Sequence, residues 1–455
     1  MRRWRWLTIL AAATLAACQE QAQNSPTSPT GPTPPTPSAV ATWLKANALP
    51  LSTVDIHAPL DDLAGLRDLV GDAHIVSLGE ATHGTRDFFQ IKARFLRYLV
   101  EEMGFNAFAI EATWPEANRL DHYVRTGEGN AEELLSGLYF WTWRTEAVLE
   151  MIEWMREYNA AGGDVGFYGF DMQFPGMALF NVQEFVDRVD PAASTAFSDH
   201  MACLQRFANG PDGLFPTQRY GSLSSTEATA CRADLRWVRD TLAAAEPDYV
   251  GRSSQVEFDR ALHSADVALQ YESMVSGLNS RDAAMADNVL WLKDQLGPDG
   301  RMVLWAHNYH VSTVPGAMGL ALRPRLGNDM VVFALSHGGG RFTAVTQRGT
   351  TFSGLTTHTL DPIFPQSYEE FLASAGLPRF VLDLRGRDLD AEETSWLRGP
   401  RRFRSVGCCY DPLSPINYWP VADLTADFDA LIYFESTGPT RLLPNRPPST
   451  FSVGP

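Results

Sequence analysis

Four short apolar runs in this sequence each stop at an acid or a histidine, and that recurrence constrains the fold more than any other feature. His74–Leu78 (HIVSL) runs into Gly79-Glu80-Ala81-Thr82-His83-Gly84-Thr85. Asn106–Ile110 stops at Glu111, Val165–Phe170 (VGFYGF) at Asp171, and Arg301–Ala306 at His307, with His310 close behind. Such runs read as strands. Between them apolar residues recur at helical spacing. Arg86–Met103 carries Phe88, Phe89, Phe95, Leu96, Leu99 and Val100, and Gly104 supplies a stop that tolerates positive φ. Helices are also expected over 115–126, 145–161 and 281–296 and, with short breaks, over 40–70. Further strands are expected at Met330–Leu335, Phe342–Thr346, Phe380–Leu384 and Ala430–Phe434. Strands alternating with helices give an α/β fold with a mostly parallel central sheet flanked by helices. Residues 178–275 read as a largely helical insertion or lid, interrupted around 209–225 by Gly, Ser and Pro.

If those strands are parallel, Glu80 with His83, Glu111, Asp171, and His307 with His310 converge beyond the carboxyl ends of the sheet, where the crevice of an open α/β fold lies. A histidine titrates near neutral pH and can take a proton from water. Neighbouring carboxylates, Glu80 and Glu111, would orient its ring and stabilise the imidazolium. His307 and His310 could hydrogen-bond a substrate carbonyl or the oxyanion it becomes. The set describes an acyl hydrolase that activates water without a nucleophilic serine, and no GxSxG elbow is present. No cofactor is expected, because GxGxxG and GxxxxGK[ST] are both absent. The same His and Glu residues could instead bind zinc or manganese, and a bare sequence leaves that alternative open. A non-catalytic binding protein that keeps the cleft is the third reading.

The N-terminus adds topology. Arg2, Arg3 and Arg5 precede a short apolar stretch, Trp6–Ala17, too short to span a bilayer. Residues 1–17 read as a signal peptide ending in Leu15-Ala16-Ala17, with lipidation expected on Cys18. Residues 18–39, rich in Pro, Thr, Ser and Gln, form a disordered tether. A catalytic domain is expected over 40–440 and a tail over 441–455. Membrane contact is expected only through the anchor at Cys18, on the cell envelope, at the outer membrane or periplasmic side in a Gram-negative host. The net charge of −17 argues against nucleic acid as a partner. Export would place Cys203, Cys231, Cys408 and Cys409 in an oxidising compartment, and a Cys203–Cys231 bond is one expectation.

The stretch Ser77–Val124 (SLGEATHGTRDFFQIKARFLRYLVEEMGFNAFAIEATWPEANRLDHYV) resembles the erythromycin esterase family. So do GFYGFDMQ from Gly166, NSRDAAMADNVLWL from Asn279 and VLWAHNYHVS from Val303. The resemblance implies a mixed α/β fold with a deep cleft and hydrolysis of a macrolide lactone or another small-molecule ester. It implies His83 as the water-activating base, with Glu80, Glu111, His307 and His310 as further catalytic residues. Lys92 falls where characterised macrolide esterases carry an arginine, which keeps the charge and loses the bidentate fork. Lys92, Arg94, Asp171 and Arg281 are read as substrate-binding candidates, with structural ion pairs as the alternative for the cations.

Overall fold

The computed structural model describes residues 36–208 and 220–446. The signal peptide 1–17, Cys18, all of the tether up to residue 35, and residues 447–455 of the tail lie outside the described residues. In chain order the strands are β1 (Leu49–Pro50), β2 (Ile75–Leu78), β3 (Ala107–Thr113), β4 (Gly166–Asp171), β5 (Met302–Trp305), β6 (Met330–Arg348), β7 (Thr351–Thr359), β8 (Arg379–Asp383), β9 (Arg401–Arg402), β10 (Cys409–Tyr410), β11 (Val421–Ala422) and β12 (Ala430–Thr437). The main sheet runs β1-β8-β12-β6-β2-β5-β3-β4, with β7 and β10 beside β6 and β9–β11 apart as a small ribbon. Strands β12, β6, β2, β5, β3 and β4 are mutually parallel. Antiparallel β8 and β1 close one edge. The fold is therefore α/β with a mostly parallel sheet, as the alternating pattern requires.

Both faces are covered. Helix Arg86–Met103 lays Phe88, Phe89, Phe95, Leu96 and Leu99 on one face, and all are buried. It ends at Gly104, whose φ of +72° only glycine adopts freely. Each of those side chains contributes about 1.5–3 kcal/mol of burial. The other face is covered by helices Gly176–Val189, Ser194–Ala208, Ser225–Ala244 and Gln255–Val275, which share one core with the sheet and with helix Arg281–Leu296. The segment read as an insertion is thus built into a structural layer. Cys203 and Cys231 are bonded there, joining two of its helices.

Three expectations need correction. Residues 40–70 are not mainly helical. Helix Pro37–Asn47 starts inside the stretch assigned to the tether, with proline in its first turn, and Leu66–Val70 adds little more than one turn. The chain between them is largely irregular, and Arg94 and Arg97 hold its backbone carbonyls. The two strands expected at 330–335 and 342–346 are one strand, β6, running through Gly338-Gly339-Gly340. A Cβ on Gly340 would sit 2.1 Å from the Thr437 carbonyl, so these glycines admit β12 at close range rather than break the strand. Strand β7 escapes a pattern search because it is largely exposed and no face of it alternates apolar with polar.

Candidate active site

The loop after β2 is pinned at both ends by close backbone approach. A Cβ on Gly79 would lie 2.2 Å from Asn308 Oδ1, and one on Gly84 would lie 1.7 Å from the Thr343 carbonyl. Only glycine fits either position. Asn308 N–H donates to the Glu80 carbonyl (2.9 Å), which ties this loop to the turn after β5. Glu80 and His83 therefore face His307 and His310 across adjacent parallel strands.

Glu80 is fully buried, and both its oxygens are engaged. Oε1 lies 2.5 Å from His83 Nδ1; Oε2 accepts from Lys92 Nζ (2.6 Å) and Trp305 Nε1 (2.7 Å). Burial alone would raise its pKa, but Lys92 and His83 hold it below the usual carboxylate value. An ionised carboxylate only accepts, so His83 donates from Nδ1, and whenever the ring is neutral its lone pair is on Nε2. The His83 ring meets Trp143 edge-on at 5.7 Å and lies 5.3 Å from the His307 ring.

His307 has the opposite tautomer. Its Nδ1 accepts from Tyr309 N–H (3.3 Å) as the cap of the short helix Asn308–Val311, so its proton sits on Nε2. Nε2 is buried without a hydrogen-bond partner. Burial, with His83 and His310 nearby, lowers its pKa to about 3, so the ring is neutral. His310 is charged. Burial opposes this, but Asp282 at 2.8 Å and Glu111 at 3.4 Å raise it to about 10. Glu111 accepts from Arg281 (2.7 Å) through Oε1 and from His307 N–H (3.0 Å) through Oε2. Against burial, His310 and Arg281 hold its carboxyl well below the usual range. Asp171 completes the network through Arg281 Nη2 (2.7 Å) and Nε (3.3 Å). A carboxylate-held imidazole, a neutral N–H donor and two buried cations thus occupy one sheet edge.

Erythromycin esterase is also the family whose profile matches residues 100–437. The chain belongs to the erythromycin esterase family. Membership marks it as a hydrolase. It is 25% identical over 338 residues to "Erythromycin esterase type II" of Escherichia coli, which covers 67% of this chain and 78% of that protein. It is 25% identical over 285 residues to "Putative hydrolase YbfO" of Bacillus subtilis, covering 59% of this chain and 63% of that one. Among solved structures, a Bacillus cereus protein superposes with a TM-score of 0.80 at 26% identity, over 90% of this chain and all of that one. A mutant erythromycin esterase in its open conformation superposes with a TM-score of 0.67 at 21% identity, over 84% of this chain and 95% of that one, which shows a shared fold.

The matched span includes Glu111, Asp171, Arg281, His307 and His310, whereas Glu80 and His83 lie before it and are brought in by the geometry. In this erythromycin esterase family member two of the residues read as substrate contacts do not sit at an open surface. Lys92 is fully buried, 4.3 Å from the centre of the Trp305 ring, with its ammonium on Glu80. Its role is to charge-balance Glu80. Arg94 is equally buried on the far side of the helix, held by Asp62 and the carbonyls of Thr53 and Pro59. Asp171 and Arg281 are in the site, as each other's partners. Two supporting groups escaped the sequence reading. Trp305, in β5 two residues before His307, donates to Glu80, and Asp282 orients His310.

Proposed function

We propose that this protein hydrolyses an ester or lactone by direct attack of a water that His83 deprotonates. The observation that carries the reading is a pair of imidazoles 5.3 Å apart whose Nδ1 atoms meet opposite kinds of partner, a carboxylate and a backbone N–H. His83 donates from Nδ1 to Glu80, whereas His307 accepts at Nδ1 from Tyr309 and leaves its Nε2 unsatisfied. The first takes the proton of water; the second donates to the carbonyl oxygen as it gains charge. The charged His310 and Arg281 keep Glu111 ionised, and Glu111 in turn accepts from the His307 backbone N–H. Among the described residues no three His, Cys, Asp or Glu side chains are grouped as a metal-binding set. The names of the relatives favour a macrolide lactone as substrate. Incubating the full chain with erythromycin and with a panel of simple esters and lactones tests this by mass spectrometry. Gain of one water by any of them supports the reading, and no product from the whole panel contradicts it.

The sequence also supports export and anchoring at Cys18. No described helix is long and apolar enough to cross a membrane. The Cys203–Cys231 bond fits an oxidising compartment. Mass spectrometry of the mature N-terminus in a Gram-negative host should find an acylated Cys18, and the Cys18→Ser variant should leave the membrane fraction. An unprocessed, unmodified Cys18 would overturn the anchor.

A further inference from the structure

The loop that carries His83 is held on both sides of that residue by one neighbouring structure. Thr343 in β6 donates its N–H to the Gly84 carbonyl (2.9 Å), and Val406 donates its N–H to the Ala81 carbonyl (2.6 Å). Residues 406–410 are themselves fastened to β6. Val345 N–H donates to the Cys408 carbonyl (3.0 Å), and Cys409 and Tyr410 pair with Val345 and Thr346 as β10. Val406 and Tyr410 pack with Phe342 and Ala344 of β6 in a small apolar cluster, and the Tyr410 hydroxyl donates to Asp361. The backbone of Ala81 and Gly84, and with it the position of His83, therefore depends on how firmly residues 406–410 lie against β6.

Two cysteines occupy the middle of that clamp. Successive side chains in a strand point to opposite faces, which keeps the sulfurs of neighbouring residues apart. Here the chain bends at Cys408 immediately before β10, and Cys408 Sγ comes within 2.9 Å of Cys409 Sγ. The backbone thus already makes the turn that a bond between adjacent cysteines needs. Cys408 is half-buried and Cys409 is buried, so a reagent meets Cys408 first. Cys203 and Cys231 are bonded to each other, and conditions that keep that bond also favour a second.

We propose that Cys408 and Cys409 are a redox modification site: they close to a disulfide between adjacent residues by exchange with a small-molecule disulfide, and the closed ring stiffens the clamp on the His83 loop. The thiolate of Cys408 attacks one sulfur of the incoming disulfide, whose S–S bond breaks, and one thiolate leaves and takes up a proton. Cys409 then loses its proton and attacks Cys408 Sγ, which breaks the mixed disulfide and expels the second thiolate. Two protein thiols are oxidised, and one external disulfide is reduced to two thiols. The ring restricts the torsions of Cys408 and Cys409, next to the hydrogen bond from Val345 and two residues from the one that Val406 makes to Ala81. The bonded form therefore holds the loop more rigidly than the dithiol. The effect on turnover rests on the function proposed above; the covalent site does not.

The full chain is equilibrated in mixtures of reduced and oxidised glutathione, quenched by alkylation and mapped by mass spectrometry, with Cys203–Cys231 as the internal reference. The expected result is a population in which Cys408 and Cys409 escape alkylation, their peptide two hydrogens lighter than the dithiol, in mixtures where Cys203–Cys231 stays bonded. Two variants remove the bond without reductant: Cys408→Ser, at the half-buried position, and Cys408→Ser combined with Cys409→Ser. The first keeps the test available if the second does not fold. Amide exchange of residues 79–85 and 403–411 should be about threefold or more faster without the bond than with it. On any ester that the wild type hydrolyses, kcat should fall about threefold or more, since a small misplacement of a catalytic group slows the chemistry. Alkylation of both cysteines, or a lasting glutathione adduct on Cys408, in every mixture that keeps Cys203–Cys231 bonded overturns the site. A bond whose loss leaves exchange unchanged overturns the clamp, and one whose loss leaves kcat unchanged on a hydrolysed ester overturns its link to His83. A bond whose loss speeds exchange, in a chain that hydrolyses no ester, would instead overturn the proposed function and leave the redox site standing.

Discussion

His83→Ala should lower kcat by roughly 10²–10⁴-fold and leave the fold intact, because loss of a general base costs about that much. The ring is only partly buried and is hydrogen-bonded through Nδ1 to Glu80. Its removal leaves Glu80 still paired with Lys92 and Trp305, so no buried charge is stranded. KM should change little, since the base acts on water rather than on the substrate. Circular dichroism and melting of the variant beside its kinetics separate loss of chemistry from loss of structure. Activity within about tenfold of wild type would remove His83 from the base role.

Lys92→Met should be the most destabilising substitution in the site, by about 3–5 kcal/mol, the usual cost of stranding one partner of a buried ion pair. It also has a distinctive pH signature. In the wild type Glu80 is held below its ordinary value by Lys92 and then His83, against burial. That contribution to stability is present above the unfolded carboxyl pKa and is lost as pH falls through the folded value. Without the ammonium, burial dominates and Glu80 moves above its unfolded value. The stability deficit should therefore be largest at neutral pH and shrink below about pH 4. A protonated Glu80 would donate to His83 Nδ1 and put the ring in the wrong tautomer, so the acid limb of the kcat/KM profile should move up in pH. Denaturant melts across pH and the rate profile check both. An unchanged acid limb with an intact fold would mean that Lys92 does not hold the charge of Glu80.

Much of this site was legible because each chemical group lies at or close to the carboxyl end of a strand. A parallel sheet brings carboxyl ends together, so Glu80, Glu111, Asp171 and His307 could be grouped before any coordinate was known. Direction was harder to read than position. Lys92 and Arg94 lie two residues apart on one helix and so point to different sides of it, one toward Glu80 and the other toward Asp62. Both are fully buried, because each meets a carboxylate that comes from another part of the chain. Nothing local in sequence encodes such partners. Trp305 was hidden for a similar reason. In a strand it reads as core, and only its indole N–H on Glu80 gives it a role in the site. The long strand β6 was split in two because three successive glycines signal a turn until the neighbouring strand that needs their small size is seen.

The central claim is that the carboxylate-held histidine, and no metal, activates the water. The most direct measurement is turnover of a hydrolysed ester or lactone by the full chain after exhaustive chelation, with bound metal quantified on the same sample. The account predicts full activity with far less than one metal ion per chain, unchanged on adding zinc or manganese and abolished in His83→Ala. Activity lost on chelation and restored by either metal would contradict it.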